Sequence, residues 1–535
     1  MRKLLLYGMI GLAVAAAASC TKNFNSINTN PTESNETNFD PNYLFTAAEL
    51  DYANVSEYQL YELAPMVQVL ASTLNYYGGG DKYNQFLYSY NTRYFSDGMT
   101  AAAQLVEAKS LATTKDAAYY SNLIQMSDIL FVMIMQRATD VYGDIPYSQA
   151  GMAKYGVQFP VYDKQQDIYM NMLGRLDTAI GKLDATKPLA TGDLLYAGSI
   201  AQWKKLGYSL MLRVAMRLSK VDPATAQAYA EKAAGNTFVS TADNAIVSFD
   251  RGCNQYNELG LDLPQVRWSK TFIDYLHTNK DPRLYALTEK ADTGLAGNNA
   301  VPPTPGMGYT TTNPAPNGQV NEVPVGMPNG YDLGGAGDIS TAPGYPGPTG
   351  TGANAAPLGN YARPVAAVFC SKVNVPVFII TYAQTELLLA EAKARGWNVG
   401  GISAAIHFTN GVTAAMQGLT QLNTALTIPA DSITSYTNTH SLDTTSLTNS
   451  LKMINSEYWV ASLWDFAESW SNFRRSGYPA LVPVNYPGNI TNGTIPRRLT
   501  YPLTENSLNT VNYQQALQRL GGTDLVTLRV WWDAQ

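Results

Sequence analysis

The sequence predicts an all-α fold, in which tetratricopeptide-like helix pairs form a scaffold that carries a few short strands and an irregular, loop-rich lobe. Apolar residues recur at intervals of three and four along most of the chain, a period typical of amphipathic helices. Strand-like patterns occur only near residues 245–249 and 525–531. Successive alanine-rich helices favour pairwise stacking, although no repeat of about 34 residues is evident.

Helical patterns follow one another from about Tyr43 onward. The strongest spans residues 120–138, where the apolar residues would share one face of a helix. Residues 140–147 then predict a turn, because a glycine and a proline interrupt the pattern. In this turn we expect Asp140 and Asp144 to accept hydrogen bonds from backbone amides. Further helices are predicted over residues 167–183, 203–219, 223–234, 378–395 and 454–473.

Residues 291–361 differ from the rest of the chain in composition. They are dense in glycine and proline, they carry almost no charge, and they show no helical period. Loops longer than about 15 residues are usually functional or disordered. We therefore predict an irregular lobe that lies over the helical scaffold, with a mobile insertion as the alternative.

The N-terminus has the parts of a bacterial lipoprotein signal. Two basic residues precede an apolar run over residues 4–18, and small residues then lead to Cys20. The apolar run is shorter than the roughly 20 residues that a membrane span needs. We predict a signal peptide over residues 1–19, acylation of Cys20, a lipidated tether over residues 20–42 and a single domain over residues 43–535. An ordinary signal peptide with an incidental cysteine is the alternative.

The charge balance limits the possible partners. The chain has 36 basic and 42 acidic residues, and this mild acidity argues against a nucleic-acid partner, which would require a basic surface. Two further cysteines, Cys253 and Cys370, could form a disulfide in an exported protein or could remain as buried thiols. Their separation in sequence does not decide between these alternatives.

Tyrosine is unusually common, with 35 tyrosines against 15 phenylalanines. A tyrosine ring offers an apolar face and a polar edge, which suits a surface that binds sugars or peptides. Core packing is the alternative explanation for any single tyrosine. The strongest ligand-binding candidates lie in one glycine-containing stretch that we expect to be an exposed loop: Asn75, Tyr76, Tyr77, Asp81 and Tyr83. The second candidates are tyrosines of the lobe: Tyr309, Tyr331 and Tyr345.

Motifs for catalysis or metal binding are not evident. The three histidines, His277, His407 and His440, do not have the spacing of a metal-binding motif, and no nucleophile elbow occurs. We therefore predict no catalytic residue, no metal and no cofactor. An enzyme would have to use carboxylates alone, so the alternative function is a surface glycoside hydrolase that uses Asp465 and Glu468. Their close spacing is nevertheless more typical of a solvated helix face, and a structural adhesin is a third possibility.

Two other pairs of charged residues have structural explanations. Glu386 and Glu391 lie five residues apart on a predicted helix, so they would point in different directions. Arg474 and Arg475 could bind an anion, but guanidinium groups that tie helix ends to carbonyl groups are the favoured interpretation.

Several blocks of the sequence resemble the SusD/RagB-like nutrient-binding lipoproteins of Bacteroidota, in particular the SusD-like branch. The blocks occur in the family's order along almost the whole chain, and the most distinctive reads TDVYGDIPYSQA from Thr139. They comprise residues 27–31, 139–150, 212–219, 381–386, 470–479 and 495–499.

This resemblance implies both a fold and a function. The fold would consist of tetratricopeptide-like helix pairs with an irregular half. The protein would be attached to the cell outer membrane by its lipid and exposed at the surface. There it would capture an oligosaccharide or a peptide, without catalysis, and act as a lid on a SusC-like TonB-dependent transporter.

Overall fold

Helices account for most of the residues that the structure describes. The structure is a computed structural model, and it describes residues 38–54, 59–74, 78–84, 88–248, 266–290, 294, 323–365 and 376–534. The chain divides into two units, Met1–Pro41 and Asn42–Gln535. Most of the first unit lies outside the described residues, so the fold is that of the second.

The described elements, in chain order, are as follows. The α-helices are α1 Asn42–Ala53, α2 Ala64–Met66, α3 Gly78–Asp81, α4 Tyr88–Asp116, α5 Ser121–Tyr142, α6 Gln165–Lys182, α7 Ile200–Arg217, α8 Pro223–Ala233, α9 Lys270–Thr278, α10 Arg283–Leu287, α11 Tyr382–Ala394, α12 Ala404–Leu422, α13 Ala430–Thr439, α14 Leu447–Ala461, α15 Phe466–Ser476, α16 Glu505–Leu508 and α17 Thr510–Arg519. The strands are β1 Leu70–Ser72, β2 Ala245–Ser248, β3 Val266–Trp268, β4 Thr288–Glu289, β5 Arg363–Pro364 and β6 Pro376–Ile380.

Successive helices pack against each other and form the scaffold. Helix α4 contacts α5, α5 contacts α6, α6 contacts α7, α7 contacts α8, and α11 contacts α12. This packing confirms the predicted tetratricopeptide-like pairs. The contact between α11 and α12 is close, because a Cβ atom at Gly411 would lie 2.7 Å from Cγ of Leu387.

The predicted helices over residues 120–138, 167–183, 203–219 and 223–234 are confirmed as α5 to α8. The prediction of one helix over residues 378–395 is wrong at its start. Its first residues belong to β6, which is rich in β-branched and aromatic side chains and pairs with β2. Helix α11 begins later, at a capping box in which the Thr381 side chain accepts from the Gln384 amide and the Gln384 side chain accepts from the Thr381 amide.

The prediction for residues 454–473 is also wrong, because two helices occupy this stretch. The chain breaks between α14 and α15, where Trp464 has a φ of 77° and Asp465 caps α15 by accepting from the Glu468 amide. The predicted strand near the C-terminus is wrong as well, since residues 525–531 form turns. The predicted strand at residues 245–249 is confirmed over its described part as β2.

Three antiparallel ribbons of two strands each lie among the helices: β1 with β3, β2 with β6, and β4 with β5. The described part of the lobe over residues 323–361 contains turns, isolated bridges and two single-turn 3-10 helices, Ile339–Thr341 and Gly352–Asn354, in agreement with the predicted irregular structure. It joins the scaffold at Met327, whose amide donates to Trp268 O at 2.8 Å and whose carbonyl accepts from Lys270 N at 2.8 Å.

Apolar side chains form one large core and one small cluster. The small cluster lies within the lobe and at its junction with β1. Its buried members are Ala71, Met327, Ile339, Ala342, Leu358 and Tyr361. This arrangement gives the lobe an apolar base although it has little regular secondary structure.

Candidate functional site

The lobe contacts the segment that follows β1, close in sequence to the first group of candidate residues. The amide of Leu333 donates to Thr73 O at 2.8 Å, immediately before the stretch that contains Asn75, Tyr76 and Tyr77. Those three residues lie outside the described residues, as do Tyr309, Cys20, Cys253 and Cys370. The described part of the candidate site is therefore the surface around Tyr331 and Tyr345, which we call the lobe face.

The lobe face is built on the small apolar cluster. Tyr331 and Tyr345 are partly exposed and pack against this cluster, while the ring of Tyr361 lies buried beneath them. The Tyr345 hydroxyl donates to Pro357 O at 3.0 Å, and the ring centroids of Tyr345 and Tyr361 are 6.2 Å apart. Burial raises the pKa of Tyr345 and of Tyr361, so both phenols stay protonated at neutral pH. The outer two rings thus present partly exposed surface from fixed positions.

Asp81 holds the lobe to β1 from the interior. Its Oδ2 accepts from Ser72 N and from Asn329 Nδ2, both at 3.1 Å, and its Oδ1 pairs with Lys82 Nζ at 2.8 Å. The side chains of Asp81 and Lys82 are both fully buried. Tyr83 is fully buried too. The expectation that Asp81 and Tyr83 belong to an exposed loop is therefore wrong.

Asn329 is a residue of the site that the sequence interpretation missed. Besides Asp81, its Nδ2 donates to Leu70 O at 2.8 Å, and its Oδ1 accepts from Ser269 Oγ at 2.5 Å. One amide thus connects the lobe to β1 and to Ser269, the residue that follows β3. The following Gly330 marked a turn in the sequence, but no local pattern indicated which segments the Asn329 side chain would join.

The carboxylates of the alternative hydrolase are enclosed. Glu468 accepts from Arg217 Nη2 at 2.5 Å and from the Tyr458 hydroxyl at 2.7 Å. Burial opposes the ionisation of Glu468, but Arg217 and Arg213 outweigh it and lower its pKa, whereas burial raises the pKa of Asp465. Two neighbouring carboxyl groups whose pKa values are shifted in opposite directions are typical of a catalytic acid–base pair. However, the cavity beside these two carboxylates holds only about 10 Å³, which is at most one water molecule.

The expectation that Asp465 and Glu468 lie on a solvated helix face is therefore wrong, and a sugar cannot reach them in this structure. The expectation that Asp140 accepts hydrogen bonds from backbone amides in a turn is also wrong. Asp140 is buried and accepts from the Tyr169 hydroxyl, Trp532 Nε1 and Arg217 Nε instead of backbone amides. Asp144, by contrast, does accept from a backbone amide, that of Gln165, at the start of α6.

The other charged pairs also have structural roles. Glu386 and Glu391 contact different partners, His407 and Arg475 respectively, as predicted from their spacing. Arg474 Nη1 donates to Arg497 O at 2.8 Å, which confirms the expected contact with a carbonyl group. Arg475 instead forms a buried, bidentate ion pair with Glu391.

Two properties of the described residues bear on metal binding and on membranes. Among them, no three or more histidine, cysteine, aspartate or glutamate side chains are grouped as metal ligands would be. None of the helices described has the length and apolar character that crossing a membrane requires.

Comparison with known proteins identifies the family. Residues 31–502 match the SusD-like_2 family, which is described as "Starch-binding associating with outer membrane". Because this match covers most of the chain, the protein belongs to this SusD-like family. No curated protein sequence matches the chain significantly.

Solved structures agree with this assignment. A chitin-binding protein is 30% identical, with a TM-score of 0.76 over 92% of this chain and 100% of that chain. A SusD-like protein of Bacteroidetes, AC2a, is 24% identical, with a TM-score of 0.76 over 93% of this chain and 100% of its own. A chitin-binding SusD homologue from Flavobacterium johnsoniae is 22% identical, with a TM-score of 0.72 over 92% and 99%. The last two structures are less than 25% identical to the chain, so they support the fold alone.

Proposed function

We propose that this protein is a non-catalytic receptor that binds an oligosaccharide at the lobe face, with chitin oligosaccharides as the first candidates. The observation that carries the proposal is the chitin-binding relative, which is 30% identical to the chain and is covered over its whole length. The partly exposed rings of Tyr331 and Tyr345 support it physically. Flat aromatic faces pack against the apolar C–H faces of sugar rings, and neighbouring amide and hydroxyl groups bind the sugar hydroxyls.

Asn75, Tyr76, Tyr77 and Tyr309 are proposed to complete the ligand surface. The contact between Leu333 and Thr73 supports this for the first three, because it brings the lobe to the residue two positions before Asn75. Asp81 and Tyr83 are proposed to position this surface from below, since both are fully buried.

The proposed cellular role is that of a lid. We propose that Cys20 carries the lipid, that the tether attaches the protein to the outer membrane with the domain exposed at the surface, and that a SusC-like TonB-dependent transporter receives the ligand. The family's association with the outer membrane and the signal-like N-terminus support this role. Several acyl chains would be needed for stable attachment, because a single chain anchors a protein only marginally.

Calorimetry can test ligand binding at the lobe face. Chitotetraose, maltotetraose and a tetrapeptide are titrated into the wild type, into Tyr331→Ala/Tyr345→Ala and into Tyr43→Ala, whose ring is exposed on α1 and serves as the control. If each aromatic contact is worth about 0.5–1.5 kcal/mol, the double variant should bind the active sugar about 5- to 150-fold more weakly. Unchanged affinity in a folded double variant would place the site elsewhere, and binding of the peptide alone would refute a glycan ligand.

Two measurements test the cellular role. Mass spectrometry of the mature N-terminal peptide should find an acylated Cys20, and an unmodified cysteine would contradict the anchor. Mild detergent extraction from the native membrane should recover a large outer-membrane transporter with the protein. Repeated recovery of the protein alone would contradict the lid role while leaving ligand binding intact.

A further inference from the structure

An open groove lies outside the lobe, where α11, α12 and the chain after α8 meet. It encloses about 590 Å³, within the range of about 300–1,000 Å³ that is typical of small-molecule sites. Helix α11 contributes Tyr382, Glu386 and Leu389, which share one helix face because they are spaced by four and three residues. Helix α12 contributes His407 and Asn410. None of these residues belongs to the lobe face.

Polar groups converge on Glu386. Its Oε2 accepts from Asn410 Nδ2 at 3.0 Å and lies 2.9 Å from His407 Nδ1. Tyr382 lies one turn before Glu386 on the same face of α11. Burial, together with the charge of Glu386, raises the pKa of Tyr382 to about 12, so the phenol stays protonated at neutral pH. Neighbouring side chains thus hold the carboxylate in a fixed position.

His407 has an unsatisfied ring nitrogen. The residue is only 3% exposed, and with its Nδ1 facing Glu386, its Nε2 has no hydrogen-bond partner among the described residues. A buried polar atom without a partner destabilises the fold. If the Nδ1 proton faces the carboxylate, Nε2 is an acceptor, and a hydroxyl group or water that donates to it would satisfy the ring. The ring, which lines the groove, therefore retains one hydrogen-bonding position that no described residue fills.

The other lining residues define the class of ligand. Two carboxylates, those of Glu231 and Glu386, line the groove, and the described residues that line it include neither lysine nor arginine. Lys393 contacts the lining residue Gly400, but its Nζ donates to the Gly400 carbonyl at 2.6 Å. Phosphate and carboxylate ligands are thus disfavoured, because the charged side chains that line the groove are carboxylates. Val239 and Ile402, which are both exposed, add apolar surface. Carboxylate, amide and phenol groups beside apolar surface suit an uncharged ligand that is rich in hydroxyl groups.

We propose that this groove is a second saccharide site, which binds a short neutral sugar independently of the lobe face. The proposal rests on the proposed function for the class of ligand, but it uses different residues. Tyr382 would supply the flat surface, and the groups around Glu386 would bind the sugar hydroxyls. An accessory site of this kind would raise the local concentration of glycan at the receptor and would bind the ends of long chains.

Histidine NMR gives a direct test, because the chain has three histidines. The protein is labelled with ¹⁵N-histidine, the His407 signals are assigned with His407→Asn, and N,N′-diacetylchitobiose or maltose is titrated in. We expect the Nε2 signal of His407 to shift in a saturable manner, while the ring signals of His277 remain unchanged. If His407 does not respond to either sugar at concentrations that saturate the lobe face, the proposal is overturned.

Calorimetry on matched variants separates the two sites. Tyr382→Ala and Glu386→Gln should each weaken the groove event at least tenfold and leave the lobe event unchanged, and Tyr331→Ala/Tyr345→Ala should do the reverse. Tyr208→Ala, which removes another partly buried tyrosine outside the groove, is the control for general destabilisation. A single binding event that only the lobe variant removes overturns the second site. Absence of any sugar binding to the wild type refutes the proposed function instead.

Discussion

A buried ion pair joins helix α11 to helix α15, and its removal gives the sharpest prediction for the stability of the fold. Glu391 on α11 accepts from Arg475 on α15 through two hydrogen bonds, at 2.6 and 2.7 Å. Arg395 adds bonds at 2.9 and 3.0 Å to the same carboxylate. The side chains of Glu391 and Arg475 are each only 1% exposed. We predict that Glu391→Gln strongly destabilises the fold, because it leaves the Arg475 charge buried without its counter-ion.

The size of the destabilisation by Glu391→Gln follows from the pKa of Glu391. Burial opposes its ionisation, but Arg475 and then Arg395 outweigh burial and lower the pKa to about 2, against 4.5 for an unperturbed glutamate. Each tenfold change in proton affinity is worth about 1.4 kcal/mol, so ionised Glu391 stabilises the fold by about 3 kcal/mol. Removing one partner of a buried pair typically costs about 3–5 kcal/mol, which agrees.

The sign of the pH dependence also follows. The pKa of Glu391 is lower in the folded protein than in the unfolded chain, so its contribution is fully present above about pH 4.5 and is lost as the pH falls towards 2. The difference in unfolding free energy between wild type and Glu391→Gln should therefore be about 3 kcal/mol at pH 7 and should shrink below pH 4.5.

Urea unfolding at a series of pH values measures this difference. Asp274→Asn is the matched control, because it removes an ion pair with Lys270 in which both side chains are more than half exposed, and it should change the unfolding free energy by at most about 0.5 kcal/mol. A loss below 1 kcal/mol for Glu391→Gln at pH 7, or a loss that does not depend on pH, would refute the reasoning.

Three further predictions concern packing and capping. Gly411→Ala should lower the unfolding free energy by about 1–3 kcal/mol in urea titrations, because its Cβ would meet Leu387, whereas Gly174→Ala, with nothing within 4 Å, should be neutral or stabilising. Thr381→Ala removes the capping box of α11 and should lower the melting temperature through a loss of about 1 kcal/mol; no change would contradict the cap. Asn329→Ala should release the lobe from β1, so limited proteolysis should cleave the lobe faster while the scaffold stays intact; equal cleavage rates would contradict this role.

Amphipathic periodicity predicted the existence of most long helices, because a helix in a stacked pair must bury one face. Helices α6 and α8 show this directly, with an apolar side inward and a polar side outward, whereas α5 and α7 are buried on most of their surface. Periodicity failed where tertiary pairing decided the local structure. The prediction extended helix α11 back into β6. The partner of β6, strand β2, lies more than 120 residues away in sequence, and pairing with it makes these residues a strand.

The candidate site shows a similar division. The excess of tyrosine and the unusual composition of the lobe indicated a ligand surface, and Tyr331 and Tyr345 are indeed partly exposed there. Burial could not be predicted for Asp81, whose partner Asn329 is 248 residues away. The sequence interpretation considered Glu386 with Glu391 and His407 with the other histidines, and only the packing of α11 against α12 brings Glu386 and His407 together.

Local chemistry along the chain was sufficient for the helical class, the position of the irregular lobe, the lipoprotein-like N-terminus and the resemblance to SusD-like proteins, since each depends on residues that are near one another in sequence. Tertiary structure decided which carboxylates are buried beside arginines, which tyrosines share the lobe face, and where a groove opens between two helices. These features depend on contacts between distant segments, and burial and charge pairing are properties of the packed chain that no local pattern specifies.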